Sequence, residues 1–310
     1  MGFDVGPDPR LPSNVDSFAP PIDFLAGAFY LDGARAAYRW LRDNAPVYYD
    51  ENSRLWGVAN YAGVLAVERD AATFSNARGS RPDTGPLPWM IDLDGVAHAT
   101  RRKLVSAGFT PRRVRDTLPR LRAICDELID AVAERGECDF VADLASPLPM
   151  AVIGDMLGVA TADRAKLLAW SKQMLVSLGG TPDDYAIAAE AFGAYVEYAR
   201  GMIADRRTNP VDDLFSVLVH AEADGVRLRD DEIVFESLLL LIGGDETTRQ
   251  VSAGGLEQLL LDPKQLSAVR KDPALVPSAV EEMLRWVSPI KNMARTTTAA
   301  VALQGTTIPA

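Results

Sequence analysis

One stretch, Asp230 to Leu261, limits the possible folds more than any other: DDEIVFESLLLLIGGDETTRQVSAGGLEQLLL. Its pattern predicts a single long helix. Asp230, Asp231 and Glu232 place negative charge in the first turn, where the helix dipole favours it. Asp262-Pro263 stops the helix, because the residue before a proline is driven out of the α region. At about 1.5 Å per residue such a helix crosses a whole domain. Val234, Phe235 and Leu238 to Ile242 are apolar nearly all round, so the middle of the helix is expected to be buried.

That buried middle contains Gly243, Gly244, Asp245, Glu246, Thr247 and Thr248. A glycine inside a helix costs about 1 kcal/mol relative to alanine. Two glycines followed by two acids and two hydroxyls contradict the helix around them, and local rules break most often at functional sites. The glycines let a ligand approach the backbone. A threonine hydroxyl can bond the carbonyl four residues back and open the helix there. The functional reading is a groove beside an acid and an alcohol that holds a small polar molecule and passes protons. The plainer reading is a helix crossing that needs small residues, with Glu246 in a salt bridge; this stretch alone leaves both open.

The chain has 310 residues, enough for one large domain or two. A net charge of −11 and a pI near 4.8 argue against nucleic-acid binding. No apolar run approaches the roughly 20 residues of a membrane span. MGFDVGPDPRLP has neither the basic nor the apolar region of a signal peptide, so a cytoplasmic protein is expected. Cys125 and Cys138 form no CxxC pair and have no histidine nearby, so no metal site is expected from them. Cys125 lies in the apolar helical pattern of Leu121, Ile124, Leu128 and Ile129 and reads as a core thiol.

Taken in order, the first thirty residues are rich in proline and aspartate and are expected to wrap the surface. Helices are predicted over 34–44, 61–69, 96–107, 111–135, 147–157, 163–178, 183–206, 211–223, 230–261, 264–271 and 277–287, with strands over 47–50, 55–59, 138–141 and 297–303. Between them, 74–94 is a long connection with an apolar tip of Leu87, Trp89, Met90 and Ile91. Long loops in compact domains are usually functional. An apolar tip suits a lid over an apolar cavity, or else a loop pinned to the core by Trp89. The fold class is mainly α with small β-sheets, in a single domain over 1–310.

Three further features complete a set. Glu282 and Arg285 are three apart on a helix expected to pack inward through Val280, Met283, Leu284 and Val287. His98 and Arg102 are four apart, hence on one face. Arg295 precedes the strand near 297. In this order and at these separations, the chain resembles the cytochrome P-450 haem-thiolate monooxygenases of the soluble bacterial type. GGDETT resembles their (A/G)GxxTT oxygen-binding pattern, Glu282-Met283-Leu284-Arg285 their ExxR motif, and DGVAHATRRKLVSAGFTP their haem-flanking helix.

The resemblance implies haem as cofactor and an apolar substrate. It implies that Gly243 and Gly244 give dioxygen room and that Thr247 and Glu246 deliver protons to it. His98, Arg102 and Arg295 would hold the haem propionates, and Glu282 with Arg285 would be structural. Ferredoxin and a ferredoxin reductase would be the redox partners, with NAD(P)H acting only through them. RPDTGPLPWMIDLDGVAH resembles the lid of actinobacterial members that oxidise the cholesterol side chain, so a steroid is the expected substrate. Arg101, Arg102, Lys103, Arg112, Arg113, Arg115, Arg120 and Arg122 crowd one segment, Arg101 and Lys103 turned away from the haem-facing Arg102, and this local basic patch would dock an acidic partner. The family's haem cysteine lies in a glycine-rich loop for which these residues have no match. The chain is thus expected to be the N-terminal three-quarters of such an enzyme, a C-terminally truncated P-450 fold. Residues 1–310 alone are then expected to form no thiolate-ligated haem. The alternative is a haem-free, inactive helical protein that binds an apolar ligand or a partner.

Overall fold

The structure, a computed structural model, describes residues 20–31, 34–82, 84–176 and 181–310. Most of the expectation for the first thirty residues therefore falls on 1–19, outside the described residues. In chain order the first elements are α1 (Ala34–Asn44), β1 (Val47–Asp50), β2 (Leu55–Val58), α2 (Tyr61–Arg69), β3 (Phe74–Ser75), α3 (Gly95–Ser106), α4 (Pro111–Ala133), α5 (Pro147–Leu157), α6 (Arg164–Leu175) and α7 (Pro182–Thr208). There follow α8 (Leu214–His220), β4 (Glu222–Ala223), β5 (Val226–Arg227), α9 (Asp230–Leu261), α10 (Pro263–Lys271), α11 (Val276–Val287), β6 (Thr296–Thr297), β7 (Val301–Leu303) and β8 (Thr306–Ile308). The mainly helical class with small sheets is what the sequence led us to expect.

These residues group into two compact units. One comprises the described residues up to 87, with 91–96 and 292–310. It holds three two-stranded antiparallel sheets, β1 with β2, β3 with β6 and β7 with β8. Val47, Leu303 and Ile308 form one apolar cluster there, backed by Trp56, Val58 and Val67.

The other unit comprises 88–90 and 97–291 and contains α9. Ile233, Val234, Leu238 and Leu241 of α9 are buried in a cluster with Met150, Leu157, Tyr195 and Phe215 from α5, α7 and α8. One junction shows how tightly these helices are fixed. Asp213 caps α8 by accepting from Ser216 N at 2.7 Å, and it takes Nε of Arg206 on α7 at 2.6 Å. Gly158 ends α5 in the left-handed region at φ 77°, and a Cβ there would lie 1.9 Å from Asp213 Oδ2. Only glycine fits.

Three local expectations are corrected. Residues 138–141 are not a strand: Val141–Ala145 form a π-helical turn, closed by Ser146 N to Val141 O at 2.9 Å. The Asp139 carboxylate accepts from Val141 N and Ala142 N, and this local capping outweighs the strand propensity of the run. The helix expected over 211–223 is only Leu214–His220. Its tail enters the hairpin β4–β5, turned by Asp224 (φ 54°) and Gly225 (φ 79°), an Asp-Gly hairpin signal. The strand expected over 297–303 is divided between β6 and β7.

Candidate active site

Helix α9 runs unbroken through GGDETT. Thr247 Oγ1 donates to Gly243 O at 2.7 Å, so the back-bond expected of the threonine is made without opening the helix. The two glycines differ. A Cβ on Gly243 would meet nothing within 4 Å, whereas one on Gly244 would lie 3.0 Å from Ile153 Cγ1 and 3.2 Å from its Cβ. Gly244 is therefore a packing residue at the α5–α9 crossing, as the plainer reading had it. Gly243 and Thr247, one turn apart, form the open side of the helix. Thr248 is exposed.

Glu246 is paired with Arg249 one turn on, both side chains largely buried. Its Oε1 is buried with no partner among the described residues. Asp245 faces the packed side and is fully buried. Burial, followed by the charge of Glu246, pushes its carboxyl up to about 6, while Arg249, Lys172 and the Ser171 hydroxyl pull it down.

On α3, His98 Nδ1 lies 2.9 Å from Met90 O, and Arg102, one turn later, is exposed. Arg101 is a residue whose role the sequence reading missed. It does not face outward with the basic patch. Its guanidinium reaches Glu232 Oε1 at 2.5 Å and Glu236 Oε1 at 3.0 Å on α9. Burial raises the Glu236 carboxyl to about 7 against the pull of Arg101. The available signal was the pair of acids four apart, Glu232 and Glu236, on an otherwise apolar helix. An uncompensated buried carboxylate demands a cation.

At the apolar tip, Met90 packs against the helical core, while Trp89 and Ile91 are half-buried and Leu87 is exposed. Leu87 N donates to Asp92 Oδ2 at 2.8 Å, and Asp92 also accepts from Ser80 N. Arg295 lies in the unit that contains β1 to β3, with Nη2 3.1 Å from Glu68 Oε2 of α2. Glu282 and Arg285 form a two-pronged fork, both contacts at 2.6 Å. The fork is exposed rather than buried, and its hydrogen bonds hold Glu282 below the usual carboxylate range. Met283 and Val287 of α11 cover Gly255 and Gly254 of α9, whereas Val280 and Leu284, also expected to pack inward, are exposed. Cys125 is half-buried rather than a fully packed core thiol, and Cys138 is exposed.

The basic segment is largely neutralised. Lys103 pairs with Asp224, Arg112 with Asp116, Arg113 with Asp212, and Arg120 with Glu127 and Asp155. Arg115 and Arg122 are exposed and have no acidic partner among the described residues. Also among the described residues, no group of His, Cys, Asp and Glu could hold a metal ion, and no helix is long and apolar enough to cross a membrane.

No family model matches the chain. Individual proteins do. The steroid C26-monooxygenase of Mycobacterium tuberculosis is 53% identical over 293 residues, which are 94% of this chain and 73% of that protein. Cyclomarin C epoxidase CymV of Salinispora arenicola is 38% identical over 92% of this chain and 75% of its own length. Among solved structures, CYP109E1 of Bacillus megaterium in complex with testosterone superposes with a TM-score of 0.79 at 32% identity, covering 89% of this chain and 72% of that one. Cytochrome P450 TbtJ1, solved free of ligand, gives 0.81 at 34% identity over 90% of this chain and 74% of its own. The chain therefore spans about 73% of the length of its curated relative. Identity of 53% across nearly all of its residues, on a backbone that follows solved P450 structures, makes this protein a member of the cytochrome P-450 monooxygenase family.

Proposed function

We propose that this protein is a haem-dependent monooxygenase that oxidises the side chain of a steroid, taking electrons from a ferredoxin and its reductase in the cytoplasm. NAD(P)H acts only through those partners. The observation that carries the reading is the open side of α9, where Gly243 leaves room and the Thr247 hydroxyl sits at its edge. The steroid assignment is supported by a relative named as a steroid C26-monooxygenase and by a solved relative holding testosterone. The apolar tip at Leu87, Trp89, Met90 and Ile91 would close over such a substrate.

Haem fits part of what is present. His98 and Arg102 share one face of α3, and their charge-assisted hydrogen bonds would hold propionates. The resemblance gives Arg295 the same role; in its own unit it is paired with Glu68. Gly243 leaves a side of α9 that a Cβ would narrow. Neither Cys125, on α4, nor Cys138, on the surface, would supply the haem thiolate. The family's cysteine loop would supply it, and the holoenzyme is these residues joined to that loop and loaded with haem. When bound, haem supplies the oxygen chemistry. Thr247 offers a hydroxyl at the open side, and Glu246 a carboxylate one residue away that can hold a proton for it. Glu282 and Arg285 would be structural, pairing within α11 beside Met283 and Val287, which meet α9.

Titrating the holoenzyme with cholestenone tests the reading. A shift of the Soret band supports it. No shift with any sterol, alongside a shift with short polar compounds, overturns it. A second reading, a haem-free helical protein that binds an apolar ligand, is favoured by the placement of the two cysteines and by the Arg295–Glu68 pair. The CO spectrum of the reduced holoenzyme separates the two. The long-wavelength band of a thiolate–CO complex would exclude the second reading.

A further inference from the structure

The packed side of α9 carries a carboxyl group that the chemistry above leaves unused. Asp245 is fully buried, and neither of its carboxyl oxygens has a hydrogen-bond partner among the described residues. On α6, Ser171 is equally buried, and its hydroxyl lies beside Asp245 without closing a hydrogen bond. The neighbouring Glu246 keeps its Oε1 buried and unpartnered, while Arg249 holds the carboxylate from one turn on. The groups that act on Asp245 are Glu246 and Arg249 of α9 and Lys172 and Ser171 of α6.

Buried polar atoms almost always find partners, in ordered water when the protein offers none. Here four oxygen atoms without partners among the described residues belong to two consecutive residues of α9 and to the α6 residue beside them. Structural packing would favour an apolar residue at 245, since Leu238 and Leu241 precede it among the buried positions of the helix. A carboxyl kept at such a position, next to the acid of an acid–alcohol pair, calls for a use.

We propose that Asp245 is a proton store for Glu246, oriented from α6 by Ser171 and refilled from solvent on the Lys172 side. The inference rests on the reading of Glu246 and Thr247 given above. In the transfer, the O–H bond of the Asp245 carboxylic acid breaks and an O–H bond forms on Glu246, with ordered water between them. Asp245 is left as a carboxylate and recovers its proton from solvent past Lys172, which is exposed. Burial and the charge of Glu246 bring the Asp245 carboxyl to about 6, close to working pH, where a store both holds and releases protons. Asp245 is a positioning residue, because it acts through Glu246.

The test uses the holoenzyme with aspartate labelled at the carboxyl carbon. One carboxyl resonance should titrate near 6, vanish in Asp245→Asn, and move upward in Ser171→Ala, which loses a group that lowers it. Asp245→Asn should cut product formed per electron by about tenfold, below the range of a direct general acid, and enlarge the solvent isotope effect. Ser171→Ala should do the same more weakly. An aspartate titration unchanged by Asp245→Asn overturns the proposal, as does an Asp245→Asn enzyme with wild-type yield, pH profile and isotope effect. Glu246→Gln separates the two levels. If it uncouples turnover and Asp245→Asn does not, the store alone is wrong; if it leaves the yield unchanged, the acid–alcohol reading falls and the store with it.

Discussion

Replacing the two central glycines one at a time separates the open side of α9 from its packed side. Each change to alanine adds one methyl and removes the helix cost of glycine, about 1 kcal/mol. At Gly243 the methyl meets nothing within 4 Å, so that gain is kept and Gly243→Ala should stabilise by about 1 kcal/mol. At Gly244 the methyl would lie 3.0 Å from Ile153 Cγ1 and 3.2 Å from both Cβ and Cδ1. The Cβ is fixed to the α5 backbone and cannot swing aside. Overpacking of this kind costs about 1–3 kcal/mol, so Gly244→Ala should break even or lose up to about 2 kcal/mol. Urea unfolding followed by far-UV circular dichroism measures both, with equal m-values required for the comparison. In the holoenzyme the order reverses: Gly243→Ala should slow carbon monoxide rebinding, and Gly244→Ala should not. Equal destabilisation by the two changes would show that the two sides of α9 have been assigned wrongly.

Three further outcomes follow from the same geometry. Arg101→Ala leaves Glu232 and Glu236 without their shared cation and should cost about 3–5 kcal/mol at about pH 8. Glu236 has a raised carboxyl, so its contribution to stability is full below its ordinary value of 4.5 and fades as pH rises through about 7. The Arg101→Ala loss should therefore shrink at about pH 5, and an equal loss at both pH values would contradict this. Thr247→Ala should retain haem and substrate but divert reduced oxygen to peroxide, read as product per electron; an unchanged yield would make Thr247 a packing residue. Reversing charge at Arg115 and Arg122, which have no acidic partner among the described residues and lie outside the proposed haem contacts, should slow reduction by an acidic ferredoxin at low salt. Unchanged rates would place the docking surface elsewhere.

The long helices were legible because their signals are local. Thr110 before Pro111, Asp262 before Pro263 and the acidic first turn of α9 fix element ends within a residue or two. The open side of α9 was half legible: the unusual residues pointed to it, but the opposite surroundings of Gly243 and Gly244 depend on where Ile153 falls. Arg101 was misread because a helix pattern states which residues share a face, not which face meets a neighbour. Glu232 and Glu236, more than a hundred residues away in sequence, decide that. The hairpins at Asp224-Gly225 and Gln304-Gly305 carried readable turn signals that the longer helical and strand patterns beside them obscured.

The most direct test of a steroid side-chain monooxygenase is product analysis. The holoenzyme is supplied with cholestenone, labelled dioxygen, and electrons from a ferredoxin and its reductase, and the sterol is examined by mass spectrometry. The expected product carries one labelled oxygen atom at the end of the side chain, and Thr247→Ala yields far less of it per electron. Sterol recovered unchanged while the same preparation oxygenates a short polar compound would contradict the assignment.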